Sequence, residues 1–320
     1  MGDSDPVRTL VREIILAAGM ITLLVLAMWA HTGSMPPLVV VESNSMQHDK
    51  DGEIGTIDAG DLVLVHEPGK DRIITFVEAT NPDSPHYGYE SLGMEGDVII
   101  YERNGEDDST PIIHRALFKV EIGETTPVNE EGECSEEVTL WDGKCIISWT
   151  VIGSNQVNVE KINLIFDGNN TGKYSCKGVP GHASSKWYSV EEYRPPSPGF
   201  ITLGDNNNCD DDHDVSMFAS CLSIDNGVCR PVQEDWVIGI SGAEIPWVGI
   251  VKLMVSGGES PGISQVPGAS ILYLILLIGA VLTLPMLIEP LMNKILRNSP
   301  EMIKAEQEDV ISLIHSGEEE

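Results

Sequence analysis

Two stretches of this 320-residue chain hold no acidic residue, lysine or arginine and are apolar almost without interruption. Between Glu13 and Glu42 residues 14–31 read IILAAGMITLLVLAMWAH, and between Glu259 and Glu289 residues 271–288 read ILYLILLIGAVLTLPMLI. Neither run alternates like a strand or carries the one-sided stripe of a surface helix, and roughly 17 to 25 apolar helical residues cross a bilayer. The pattern predicts transmembrane helices over 14–31 and 270–290. Arg8 and Arg12 precede the first, Lys294 and Arg297 follow the second, and the inner flanks have few cations. The bias of positive charge toward the cytoplasm therefore predicts a multi-pass protein of the cell membrane. Residues 1–13 and the acidic tail 291–320 are expected inside, and 32–269 on the extracytoplasmic side. A cleaved secretory signal is the alternative for the first run, but Ala27, Trp29 and Ala30 make a poor small-residue cleavage site.

Between the spans the pattern changes to short Val- and Ile-rich runs at 38–43, 61–66, 97–102, 112–122, 149–153, 200–204 and 235–240. Gly, Pro, Asn and Asp separate them, and no long amphipathic helical period intervenes. The fold class expected is a mainly β outer domain with one transmembrane helix at each end. Residues 67–94 and 124–198 read as inserts; the second is polar and ends in Pro195-Pro196-Ser197-Pro198, the mark of a subdomain or long loops.

Charge narrows the function. With 50 acidic against 19 basic side chains the net charge is −31, which excludes nucleic acid as partner because phosphates need an excess of Lys and Arg. Hydrophobic residues at 42% are enough for a core. All six cysteines, at 134, 145, 176, 209, 221 and 229, fall in the outer region, and an even count in an oxidising compartment reads first as disulfides. One bridge is expected from Cys209 to Cys221 or Cys229. Asn169, in Asn169-Asn170-Thr171, fits a glycosylation acceptor.

Three features could carry chemistry. Ser45-Met46 follows a strand that comes straight out of the first span, which keeps the serine within reach of a membrane-embedded substrate. His114 lies in the apolar strand run IIHRAL. The acidic turn LGDNNNCDDDHD, residues 203–214, offers oxygens that suit calcium but lacks the Gly and distal Glu of an EF-hand loop. Cys209, His213, Cys221 and Cys229 fit no standard zinc spacing. Taken singly, each has an ordinary structural reading.

Their order is more specific. A span, a strand, Ser43-Asn44-Ser45-Met46, Gly60-Asp61, Gly96-Asp97, His114-Arg115, Gly204-Asp205-Asn206 and a second span follow one another. This arrangement resembles signal peptidase I of the archaeal and endoplasmic-reticulum type along most of the chain. The bacterial branch uses a lysine base, whereas His114 stands at the matching place here. The resemblance implies a signal-peptidase-like β fold and a serine endopeptidase that removes signal peptides from secretory preproteins. Signal peptides, the lipid bilayer and secretion-machinery subunits are the implied partners. Ser45 is then the nucleophile and His114 the general base, with an acidic limb in the histidine range. Ser43 and the Ser45 amide hold the oxyanion, and Asp205 is a structural anchor; no metal or cofactor is implied.

The orienting carboxylate is expected at Asp211 or Asp214. Six residues after Asp205 is Asp211, and four before Phe218 is Asp214, the two counts that the family pattern supplies. Three departures stand out. Asn44 replaces the usual Gly, and asparagine is the side chain that best tolerates positive φ after Gly. The proline usual after Ser-Met is absent, and a longer loop runs to Gly60. Two other classes compete with the enzyme. A non-catalytic membrane-anchored β-rich binding or assembly module would be marked by loss of Ser45 or His114, and both are present. A calcium-dependent adhesion domain would be marked by calcium affinity of the acidic turn.

Overall fold

The computed structural model describes residues 6–69, 72–135, 138–166, 188–206, 230–256 and 262–297. The chain divides into two compact units, residues 1–270 and 271–320. Helix α1, Pro6–Thr32, opens the first unit, and α4, Gly268–Arg297, runs into the second. The apolar stretches Val7–Thr32 and Gly268–Pro290 hold 26 and 23 residues. At 1.5 Å per residue they measure about 39 and about 35 Å, long enough to cross a hydrocarbon core of about 30 Å. Both helices exceed the spans 14–31 and 270–290, because a flanking charge marks where lipid ends and does not break a helix. Apolar side chains stand out all round α1, with Leu23 at 69% exposure, so no protein face covers them.

From α1 the chain enters β1, Gly33–Val40, then β2, Leu62–His66, and the short helix α2, Phe76–Thr80. Next come β3, Glu90–Ser91, β4, Met94–Glu95, β5, Val98–Tyr101, and the long β6, Ile112–Ile122. After them follow β7, Thr125–Pro127, β8, Thr139–Trp141, β9, Lys144–Ile146, and β10, Trp149–Val151. The hairpin β11, Ile162–Phe166, and β12, Tyr188–Tyr193, precedes β13, Gly199–Leu203, β14, Val237–Ile245, and helix α3, Ile250–Val255.

Among the described residues the principal sheet has seven antiparallel strands in the order β1-β2-β14-β5-β6-β10, with β13 also on β6. β6 is its axis. His114 to Phe118 are buried without a break, as expected of a strand covered on both faces. Leu117, Phe118 and Val120 pack with Phe76, Trp149, Ile162, Leu164, Phe166 and Val190 in the largest core.

Five of those partners come from the second insert, which is therefore more than long loops. β10 joins the principal sheet, β11 alternates buried and exposed residues over the core, and Phe166 lies 5.9 Å from Phe76 and 6.3 Å from Phe118. The order β7-β9-β8 forms a small sheet of its own, bridged by the disulfide Cys134–Cys145. The first insert contributes α2, whose Thr75 and Glu78 form a capping box that satisfies amides at its start. Asn169 and the cysteines at 176, 209, 221 and 229 lie outside the described residues.

The two Gly-Asp pairs that open β2 and β5 share one construction. Gly60 and Gly96 take φ of +98° and +80°, where a side chain is strained. Each following carboxylate then accepts from remote groups. Asp61 takes the Asp58 amide at 2.9 Å and the Trp247 amide at 2.8 Å; Asp97 takes the Ile74 amide and the Tyr89 hydroxyl, both at 2.7 Å.

A Cβ at Gly96 would stand 2.5 Å from the Phe76 nitrogen, whereas one at Gly55, φ +99°, would meet nothing within 4 Å. Gly96→Ala is expected to cost at least about 2 kcal/mol, lowering the thermal midpoint by about 4 to 8 °C. Gly55→Ala, strained but not crowded, should lower it less. Thermal unfolding of both variants in detergent checks the difference.

Candidate active site

Met46 explains how the serine turn is seated. Its side chain is buried with Val41, Ile57, Val63 and Val98 on the inner face of the sheet, while Ser43, Asn44 and Ser45 remain half-buried above it. Ile57 in that cluster comes from the long loop after Met46, so the loop is packed into the domain at its far end. Asn44 is not among the described residues with positive φ. The conformational role expected of it is not what this turn uses; its backbone groups serve as handles instead.

Those handles are gripped from two sides. The Asn206 amide donates to the Ser45 carbonyl at 2.8 Å, and the Asn206 side-chain amide donates to the Asn44 carbonyl at 2.8 Å. From just before α4, the Gln265 side-chain oxygen accepts from the Asn44 amide at 2.9 Å. The turn is held by backbone bonds, which leaves its hydroxyls free of structural duty. Ser43 Oγ and Ser45 Oγ lie 3.3 Å apart. A polar cavity of about 300 Å³ opens at Asn44, with His48, Lys50, Asn206 and Gln265 also in its wall.

Asp205 is the other end of this clamp. Its carboxylate accepts from Arg115 Nε at 3.0 and 3.1 Å and from Nη2 at 2.6 Å, with both side chains fully or almost fully buried. His48 Nε2 lies 2.8 Å from the same carboxylate. Burial by itself would raise the Asp205 carboxyl; the Arg115 and His48 partners outweigh it and hold the group at about 2. Arg115 Nη1 also donates to the carbonyls of Ser91, Met94 and Gly96, so one guanidinium ties β6, the β3–β4 hairpin and the 203–206 turn together.

His114 is next to Arg115 on β6, opposite Ile99 of β5, and only 4% exposed. Burial pushes its imidazole from 6.5 down to about 4, against a raising pull from Asp205. The ring is neutral at pH 7. Nδ1 lies 3.4 Å from the Tyr101 hydroxyl, which lies 3.0 Å from Thr202 Oγ1. A proton on Nδ1 directed at the Tyr101 oxygen leaves Nε2 as the nitrogen able to take another.

Ser43, Ser45 and Asp205 are thus joined through Asn206, and His114 sits one residue from the guanidinium that anchors Asp205. Ser45 and His114 do not hydrogen-bond to each other; their described bonds go to Ser43 and Tyr101. Asp211 and Asp214 lie outside the described residues. Sequence reasoning passed over His48 and Tyr101. Tyr101 was readable as the end of an apolar strand, and His48 carried no pattern at all. Comparison with models of known protein families finds no match, and comparison with curated proteins finds none either.

Asp205→Ala strands the Arg115 guanidinium in a site with 0% exposure of that side chain. The loss is expected to be about 3 to 5 kcal/mol, measured by chemical denaturation in detergent, because breaking one side of a buried pair leaves an uncompensated charge. Lys161→Ala, which breaks the exposed pair with Glu192, should cost no more than about 1 kcal/mol.

Proposed function

We propose that this chain is a membrane-anchored serine endopeptidase that removes N-terminal signal peptides from exported preproteins on the extracytoplasmic face. The observation that carries the reading is the convergence of three separated motifs. Ser43 to Met46, Asp205-Asn206 and Arg115 meet in one hydrogen-bonded assembly, and His114 is the neighbour of Arg115 on β6. The first of them leaves an apolar helix only a strand earlier, so Ser45 lies within roughly 45 Å of extended chain from the end of α1. A substrate held in a bilayer by its own apolar segment would meet a nucleophile at that height. With both helices crossing, the flanking arginines and lysine put the termini in the cytoplasm.

Ser45 Oγ attacks the scissile carbonyl carbon as its proton passes to His114 Nε2. The oxyanion is met by the Ser45 amide and the Ser43 hydroxyl. The C–N bond then breaks and His114 returns the proton to the leaving amine. Water, deprotonated by His114 as it attacks, cleaves the acyl ester, and His114 passes that proton to the departing Ser45 oxygen. Ser45 and His114 must close on each other for the first step, and catalytic hydrogen bonds often tighten only when substrate binds. β1 ends the strand order of the principal sheet, so its outer edge can receive an extended peptide. Pro36 and Pro37 lack amide hydrogens, which leaves the outward amides among Leu38 to Val40, alternate residues of the ladder with β2, as the donors nearest the turn.

The separate partners of Ser45 and His114 favour a second reading, a non-catalytic membrane-anchored β-rich module. Cleavage of a model preprotein in detergent separates the two. Ser45→Ala should abolish cleavage and His114→Ala should lower turnover by on the order of 100-fold or more, with the thermal midpoint preserved. Retained cleavage in Ser45→Ala would end the proteolytic reading.

Burial also relocates the pH dependence from the ordinary histidine range. A base with a lowered pKa is neutral and active above about 4 and is lost as pH falls through that value. The wild-type profile should be flat from about pH 5 to 8, with its acidic limb near 4. A limb at 6 to 7 would mean that the titrating base is solvated and is not the buried His114.

A further inference from the structure

Asp205 has more partners than its charge requires. Arg115 approaches it through Nε and Nη2 and is enough to neutralise it, yet His48 Nε2 also lies 2.8 Å from Oδ2. Both side chains of this second contact are enclosed, 6% exposed for His48 and 1% for Asp205. Gly93 leaves room for the imidazole: a Cβ there would stand 3.1 Å from both Cε1 and Nδ1. Of the two ring nitrogens Nε2 is the one with a hydrogen-bond partner among the described residues, and that partner is the carboxylate.

His48 follows Ser45 by three residues, on the far side of the buried Met46. Asn206, beside Asp205, holds the near side through the Ser45 and Asn44 carbonyls. The turn bearing the hydroxyls is therefore fastened to the 205–206 turn at three points, the Asn206 amide, the Asn206 side chain and the imidazole. Asp205 also acts on His114, whose protonated form it favours. Two histidines on different segments are thus linked through one carboxylate.

We propose that His48 is a positioning residue: by donating its Nε2 proton to Asp205 it seats the Ser43–Ser45 turn and draws off part of the negative charge that His114 feels. The inference rests on the proteolytic reading for its effect on turnover, but not for its effect on His114. The charged groups around His48 are Asp205 and Arg115 across the site, and Asp58, Asp49 and Lys50 on its own loop. With the Nε2–H removed, Asp205 keeps more of its charge, the imidazolium of His114 becomes more favourable, and the proton binds at higher pH.

The test uses the full-length protein in detergent. Histidine-labelled NMR gives the titration midpoint of His114, assigned by its loss in His114→Ala, and preprotein cleavage gives kcat, KM and the acidic limb. His48→Ala should lower kcat by about tenfold or more with KM within about threefold, and move the His114 midpoint and the acidic limb upward by about half a pH unit or more. His48→Gln, whose side-chain amide can still donate to Asp205, should restore both. A His48→Ala variant that lowers kcat without moving the His114 midpoint would show a merely structural role and overturn the inference, as would one with wild-type kcat and midpoint. Should His48→Ala not fold, His48→Gln decides: a wild-type midpoint supports the proposal and a displaced one overturns it. If wild type cleaves no preprotein while His48→Ala still moves the midpoint, the proteolytic reading falls and the electrostatic link stands.

Discussion

The Arg115–Asp205 pair is the constraint around which the rest of this domain is arranged. Two charges with almost no exposure are tolerable only when each is fully hydrogen-bonded, since desolvation of an unpaired ion costs several kcal/mol. Asp205 satisfies the Nε and Nη2 side of the guanidinium, and carbonyls from Ser91 to Gly96 receive Nη1. A single side chain on β6 thereby fixes the 203–206 turn and the β3–β4 hairpin. Asn206 then passes that order on to the serine turn, which has no regular structure of its own.

Three Gly-Asp pairs repeat the same solution at different places. Asp61 collects amides from its own loop and from Trp247; Asp97 collects an amide and a phenol from the first insert; Asp205 collects a guanidinium and an imidazole. In each case a short carboxylate at the end of a strand or turn satisfies donors that would otherwise be orphaned. The acid is a structural fastener in the first two pairs. In the third the fastener also meets an imidazole.

His114 owes its character to burial more than to any one neighbour. A histidine in water would be partly charged near pH 6.5, and the enclosure of this one by β5, β6 and the Tyr101–Thr202 pair keeps it neutral. Its neighbour Arg115 carries the charge that the site needs, already neutralised by Asp205. The division gives a strand with an ionised anchor at one position and a neutral imidazole at the next.

By itself the sequence determined whatever depends on local composition. The apolar runs specify the two long helices because a helix satisfies its backbone within the segment. Runs such as 112–122 specify strands, and β6 occupies those residues. Boundaries slipped where pairing is remote: the run at 235–240 is extended to Ile245 because Glu244 and Ile245 find partners in β2, past an irregularity in register. The insert at 124–198 reads as polar, yet Phe166 and Trp149 close the main core, a fact visible only when α2 and β6 are brought against them. Ser45, His114 and Asp205 could be named from the order of motifs. That Asn206 grips the serine turn, that Tyr101 meets His114, and that His48 shares Asp205 across 157 residues of chain were decided by tertiary structure. Side chains so far apart in sequence leave no local period, and it is their common burial, which makes every unpaired polar group costly, that brings them together.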